Sequence, residues 1–192
     1  GVYRYPGGYV YRGEYRNGLR HGEGRFEEPD GAYREGEWVE GELASGVRVW
    51  ADGREYVGDF LDGECHGEGG MEWPDGRKYE GTWRNNRPSG TGRERSASGS
   101  EYSGRFVEGQ RSGEGVLRRT CGAELSGLWV KGKLEGENCV IRCSDGCTYE
   151  GPVKSGVCDG MRGYFSGKRR AIAVYEGEWR DGVPMGVAKK LI

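Results

Sequence analysis

Long apolar runs are missing from this chain of 192 residues, and no stretch is long or apolar enough to span a bilayer. Leucine, isoleucine, valine and phenylalanine together number 30, below what a globular core requires. Histidine is nearly absent: His21 and His66 are the only two. They fall at the same place in two separated copies of a repeat, about 20 Å apart by strand spacing, so they cannot share a site within one chain. No Ser/His/Asp or Cys/His constellation can be built, and a catalytic site is not expected. The six cysteines (Cys65, Cys121, Cys139, Cys143, Cys147 and Cys158) contain no CxxC pair, which removes the strongest zinc signature. Gly127-x4-Gly132-Lys133 half-matches a phosphate loop, but Leu134 stands where Ser or Thr is needed. The net charge of −2 and the absence of any groove-entering motif exclude a nucleic-acid reader.

What is abundant is glycine, 39 residues of it, and it is periodic. Tyr11-x-Gly13-x-Tyr15 returns as Tyr56-x-Gly58-x-Phe60, Tyr79-x-Gly81-x-Trp83, Tyr102-x-Gly104-x-Phe106 and Tyr175-x-Gly177-x-Trp179. Imperfect copies stand between: Arg34-x-Gly36-x-Trp38, Leu125-x-Gly127-x-Trp129 and Tyr149-x-Gly151-x-Val153. The central glycines are spaced 23, 22, 23, 23, 23, 24 and 26 residues apart. A fixed period of this length marks a linear array. Low hydrophobicity alone would suggest disorder, but the small net charge and the regular placing of the aromatics argue for order.

Within a copy the alternation has period two. Tyr11, Gly13 and Tyr15 point one way, and Arg12, Glu14 and Arg16 the other, as in a strand with one apolar and one charged face. Asn17-Gly18 and Asp62-Gly63 are strong hairpin turns. The Gly-x-Gly that follows, such as Gly22-Glu23-Gly24, begins a return strand, and Asp-Gly turns link one hairpin to the next. Rings from one strand are expected to lie over bare backbone at Gly13, Gly22 and Gly24. Glu23, Glu68 and Glu114 read as the solvated face. The expected architecture is all-β: a single-layer, twisted antiparallel sheet of tandem hairpins, sixteen or seventeen strands and roughly 75–80 Å long.

The consensus, near Tyr-x-Gly-x-Trp-x-x-Gly-x-x-x-Gly-x-Gly-x5-Asp-Gly, resembles the MORN repeat over essentially the whole chain. Residues 1–192 read as one array of about eight repeats, irregular around 134–175, with 1–8 the remnant of an earlier repeat; the chain is expected to be a piece of a longer array. A one-residue change alters strand register, so bulges or bends are expected in the sixth and seventh repeats. The repeat face comprises Tyr11, Gly13, Tyr15, Trp38, Tyr56, Phe60, Tyr79, Trp83, Tyr102, Phe106, Trp129, Tyr149, Tyr175 and Trp179. The resemblance implies a non-catalytic, cytoplasmic scaffold like the cytoskeletal MORN proteins of protist parasites, with cytoskeletal partners. It equally implies phosphoinositide or membrane binding, or an accessory array of a larger enzyme, as alternatives.

An open sheet exposes unpaired backbone at its ends. An end-to-end homodimer is expected at the last strand, through Met185, Val187, Lys189, Leu191 and Ile192. Residues 1–92 hold 12 Lys/Arg and 18 Asp/Glu, and residues 93–192 hold 17 and 13. The basic excess in the second half gathers at Arg118, Arg119, Lys168, Arg169 and Arg170, the candidate lipid contacts. The cysteines leave three uses open. They are small buried residues, a disulfide between chains, or a zinc site shared between chains from Cys121, Cys143 and Cys147, or from Cys65 and His66. No other cofactor is expected.

Overall fold

Every first strand ends in a two-residue turn whose residues both have positive φ. Asn17-Gly18 (51° and 78°) is the pattern, and Glu40-Gly41, Asp62-Gly63, Asn85-Asn86, Glu108-Gly109, Lys131-Gly132, Ser155-Gly156 and Asp181-Gly182 repeat it. This mirror-image turn matches the twist of the strands it joins, so each repeat closes as a tight antiparallel hairpin. The links between hairpins are equally regular. In Pro29-Asp30-Gly31 the Asp30 carboxylate accepts the Ala32 N–H at 3.0 Å, and Asp52, Asp75 and Asp145 do the same for Arg54, Arg77 and Cys147.

The computed structural model describes residues 1–158, 160–166, 173–185 and 189–190. The chain divides into two compact units, Gly1–Ala97 and Ser98–Ile192. In the first, β1 (Val2–Arg4), β2 (Val10–Arg16), β3 (Leu19–Glu27), β4 (Tyr33–Val39), β5 (Glu42–Val49), β6 (Glu55–Leu61), β7 (Glu64–Glu72), β8 (Lys78–Arg84) and β9 (Arg87–Arg95) pair antiparallel, each with the next. In the second, β10 (Glu101–Val107), β11 (Gln110–Arg118) and β12 (Glu124–Val130) continue the pattern. There the return strands are split: β13 (Lys133–Leu134) with β14 (Gly136–Arg142), then β16 (Val157–Cys158) with β17 (Gly160–Ser166) about β15 (Thr148–Lys154). β18 (Ala173–Arg180) follows, paired with β19 (Val183–Pro184) and β20 (Lys189–Lys190). The splitting raises the count from the expected sixteen or seventeen to twenty strands among the described residues. No helix among them is long and apolar enough to cross a membrane. Each unit is an open sheet, and its core is one aromatic face rather than a layer between two sheets.

The bulges expected in the sixth and seventh repeats are present, with register shifts between Gly136 and Cys139 and between Gly160 and Gly163, but the regular repeats carry them too. Among the described residues each of the first five hairpins has one, at the central glycine or one residue after it. In the first repeat Gly13 pairs with Gly24 and Glu14 with His21, so Gly22 and Glu23 stand unopposed. The same step falls after Gly58, Gly81 and Gly104. The bulge absorbs changes of length. The second repeat is one residue short, and only Ala44 is unopposed, yet Gly36 still faces Gly46. In the sixth repeat, one residue long, Glu135 to Cys139 stand across from Gly127 and Leu128. A one-residue change therefore does not move the strands outside the bulge: the extra or missing residue is taken from backbone that is already unpaired.

Candidate functional site

The aromatic face is assembled from three kinds of residue. The first is the leading tyrosine of the odd-numbered repeats and, as Tyr79, of the fourth. Tyr11, Tyr56 and Tyr102 are fully buried, and each lies over the glycines of its own hairpin. A carbon added at Gly24, Gly69 or Gly115 would fall within the ring of Tyr11, Tyr56 or Tyr102 respectively. The tyrosine hydroxyls then donate to the backbone three residues on: Tyr11 to Glu14 (3.1 Å), Tyr56 to Asp59 (3.0 Å), Tyr79 to Thr82 (3.1 Å), Tyr102 to Arg105 (3.3 Å) and Tyr149 to Pro152 (2.7 Å). These carbonyls belong to the residue after the central glycine, beside the bulge. Burial pushes the phenol of Tyr11 above its ordinary value of 10.0 and that of Tyr79 up to about 12.

The second kind is tryptophan, which among these repeats occurs at the fifth motif position of the even-numbered ones. Trp38, Trp83 and Trp129 are buried. Each packs edge-to-face on the tyrosine of the preceding repeat, with centroids 5.5, 5.3 and 5.1 Å apart. Each indole N–H also donates to the preceding hairpin: to Gly24 O (2.9 Å), Gly69 O (2.9 Å) and Gly115 O (3.0 Å). Trp179 continues the ring series against Tyr149 at 5.1 Å. The structural period is thus two repeats, which the single-repeat spacing does not reveal.

The third kind sits opposite the fifth-position residue, and sequence reasoning missed it. Tyr15 faces Arg20, Trp38 faces Leu43, Phe60 faces Cys65, Trp83 faces Pro88, Phe106 faces Arg111, Trp129 faces Leu134 and Val153 faces Cys158. In the first and fifth repeats this position holds an arginine lying on the rings. Arg20 is 4.3 Å from the Trp38 centroid and 4.9 Å from that of Phe26, and donates to Gly41 O at 2.7 Å. Arg111 lies 4.8 Å from Tyr102 and 5.6 Å from Trp129. The only signal available was positional: these residues align with Leu43 and Leu134.

The same alignment accounts for Cys65 and for the half-buried Cys158, while Cys139 packs elsewhere on the face. Cys65 is fully buried against Phe60, and burial pushes its thiol up to about 11. It packs rather than faces a partner, and Tyr56 donates to the carbonyl of its neighbour His66 at 3.1 Å. Cys139 is buried beneath Gly127, where an added carbon would meet its Sγ. Leu134 is also buried there, so the half phosphate loop is a piece of core. Cys121 and Cys143 are exposed and Cys147 half-buried. Among the described residues no group of three His, Cys, Asp or Glu side chains is placed to hold a metal ion.

Gly22, expected beneath a ring, is not: an added carbon there would meet the Glu14 side chain. Its φ of +60 is the reason for glycine, and it forms the bulge. Glu23, Glu68 and Glu114 are exposed, as expected. Arg118 is held by Glu124 at 3.0 Å, and the same carboxylate takes Arg142 at 3.0 Å, which lowers the charge this patch offers a membrane. Lys168, Arg169, Arg170, Val187, Leu191 and Ile192 lie outside the described residues. Met185 is exposed, and the backbone of Lys189 pairs with that of Val174.

The aromatic face opens at the first repeat. Tyr5, Tyr9, Tyr15, Leu19, Arg20 and Phe26 line a cleft of about 440 Å³. Tyr15 is 40% exposed, whereas Phe60 and Phe106 at the same position are 8% and 3% exposed. Beyond it lies only the short, exposed β1. Its hydroxyl meets that of Tyr5 at 3.2 Å, while Tyr9 stacks on Phe26 with centroids 5.7 Å apart.

A family model described as MORN repeat matches residues 11–33, 35–53, 56–76, 79–101, 102–120 and 175–190. The stretch it passes over contains the split return strands of the sixth and seventh repeats. Among curated proteins, Alsin of Rattus norvegicus is 39% identical over 75 residues, and Alsin of Homo sapiens 37%. These alignments cover 36% of this chain and 4% of the length of those relatives. Among solved structures, the TCP domain of Drosophila melanogaster SAS-4 in complex with a proline-rich motif of Ana2 is similar at 14% identity and a TM-score of 0.49. That similarity covers 80% of this chain and 83% of that one. The TCP10 domain of Danio rerio CPAP in complex with a STIL peptide is similar at 15% identity and a TM-score of 0.34, covering 99% and 93%.

Proposed function

We propose, since this chain belongs to the MORN-repeat family, that it is a non-catalytic scaffold that positions partner proteins at the cytoskeleton or the membrane–cytoskeleton interface. The observation that carries this reading is how the polar chemistry of the aromatic face is used. The tyrosine hydroxyls and indole N–H groups of its core are bonded to the sheet's own backbone. Such a face holds shape. Among the described residues it places no nucleophile beside a base, the arrangement that reaction chemistry uses. The outward face is charged and mixed, with pairs such as Arg25–Glu35 at 2.7 Å, and suits contact with other proteins.

In this reading residues 1–192 act as one array that self-associates through its C-terminal end. Sedimentation velocity over a wide concentration range tests it, with a dimer as the expected species. A particle that stays at 21.2 kDa throughout overturns the self-association. Deletion of residues 175–192 is expected to abolish the dimer while the strand signal in circular dichroism persists. Co-sedimentation with vesicles of acidic phospholipid at physiological salt separates the alternative: binding by the folded chain would favour a membrane module over a protein scaffold.

A further inference from the structure

We propose that Cys143 and Cys147 are a redox-active dithiol that closes into an intrachain disulfide across the turn between β14 and β15. The two residues flank Ser144-Asp145-Gly146, immediately beyond the paired residues Arg142 and Thr148. The Cys143 N–H donates to the Cys147 carbonyl at 2.8 Å, and the Gly146 N–H donates to the Cys143 carbonyl at 3.0 Å. The Cys143–Cys147 bond closes the end of this ladder, and residues directly opposite each other in an antiparallel pair have Cα atoms about 4.5–5.5 Å apart. That lies inside the roughly 4.4–6.8 Å that a disulfide spans.

The other repeats show that side chains at these two positions meet. Trp50 and Arg54 are closed by the same backbone bond at 2.9 Å, and the Arg54 guanidinium lies 4.9 Å from a Trp50 ring centroid. Trp73 and Arg77 repeat the arrangement, at 2.9 and 5.1 Å. The sixth repeat puts two thiols where those repeats put a ring and a cation. Both are within reach of solvent, Cys143 exposed and Cys147 half-buried, whereas Cys65 and Cys139 are buried. Two other thiols are rivals: Cys121, exposed on the neighbouring turn, where a carbon added at Gly122 would lie 3.8 Å from Ser144 Cβ, and the half-buried Cys158, which interacts electrostatically with Cys143.

The oxidant is a low-molecular-weight disulfide. The Cys143 thiol loses its proton, and the thiolate attacks one sulfur of the oxidant and expels the other as a thiolate, leaving a mixed disulfide on Cys143. Cys147, deprotonated in turn, attacks Cys143 Sγ and expels the second small thiolate. The protein gives up two protons and two electrons, and the oxidant becomes two thiols. The ring encloses only the turn, so it constrains little of the unfolded chain. Its effect is local, in capping two thiols on an exposed turn.

The test treats the full chain with glutathione disulfide, alkylates the remaining thiols under denaturing conditions and maps the peptides by mass. The expected product is a single peptide with Cys143 linked to Cys147, two hydrogens lighter and restored by reductant, with Cys65 and Cys139 alkylated. Cys147→Ser is expected to trap glutathione on Cys143, with the circular dichroism spectrum unchanged. A Cys121–Cys143 bond in the native chain, or a glutathione adduct that persists on Cys143 with Cys147 present, overturns the proposal.

Discussion

The indole N–H of Trp83 donates to the carbonyl of Gly69 at 2.9 Å, binding the fourth repeat to the backbone of the third. Trp38 and Gly24, and Trp129 and Gly115, stand in the same relation. A sheet with one layer has no second layer to bury its aromatic face. Here the tryptophan of one hairpin covers the tyrosine of the one before and ties itself to its strand, so neighbours stabilise each other pairwise. Trp83→Phe keeps most of the ring and removes the donor. It is expected to lower the unfolding free energy by about 1–3 kcal/mol, read from urea denaturation. An unchanged midpoint would show that the bond contributes nothing.

Adjacent glycines give a sharper contrast. A carbon added at Gly69 would enter the Tyr56 ring, whereas at Gly70 the nearest atoms, of Glu80 and Tyr79, are 3.6 Å away. Gly69→Ala is expected to cost at least about 3 kcal/mol, because either ring or backbone must move. Gly70→Ala should range from neutral to a gain of about 1 kcal/mol, by restricting the unfolded chain. Thermal melts of the two variants side by side check this, and equal losses would refute the packing argument.

Asn86 occupies a turn position that is glycine in the other repeats, with φ of 62°. It gains something for that backbone. Its N–H donates to Cys65 O at 3.1 Å, and its side-chain carbonyl accepts the Cys65 N–H at 2.9 Å. Asn86→Gly relaxes the turn but leaves the Cys65 N–H short of its acceptor in a buried place. We expect a net loss of about 0.5–1.5 kcal/mol. Hydrogen exchange at Cys65 should quicken; a stabilised variant with unchanged exchange would contradict this.

The buried phenols set an alkaline limit. Tyr79 ionises at about 12 in the folded chain and near 10.0 when unfolded, because burial disfavours its anion; Tyr11 shifts in the same direction. A raised value means the folded state keeps protons that the unfolded state loses. The stabilisation is complete below pH 10 and is lost as pH rises toward 12. Tyrosinate absorbance and circular dichroism should therefore change together in that window. Ionisation of these tyrosines well before any loss of structure would count against their burial.

Much of the fold was legible in the residue order. Period-two alternation and the Asn-Gly and Asp-Gly turns specify hairpins through local backbone preference alone, and the turns are where the spacing put them. The candidate site was legible only in part. Tyr11, Tyr56 and Trp83 were recognisable as its rings, but nothing in the spacing singled out Arg20 and Arg111. Their place against the aromatics depends on which residue faces them across the strand, and that depends on the bulge. The role of Gly22 was misread for the same reason, since its positive φ is a property of the bulge and not of the ring above it.

The sequence by itself determined the family, the hairpin as the unit, and which face of each strand is apolar, because these follow from local geometry repeated at a constant interval. Only the tertiary structure decided the rest: the pairing of repeats through Trp38, Trp83 and Trp129 and the bulge that swallows a missing or extra residue. Each of these is a contact between residues on different strands. Its existence rests on register, and register is settled by how the whole face packs rather than by any one segment.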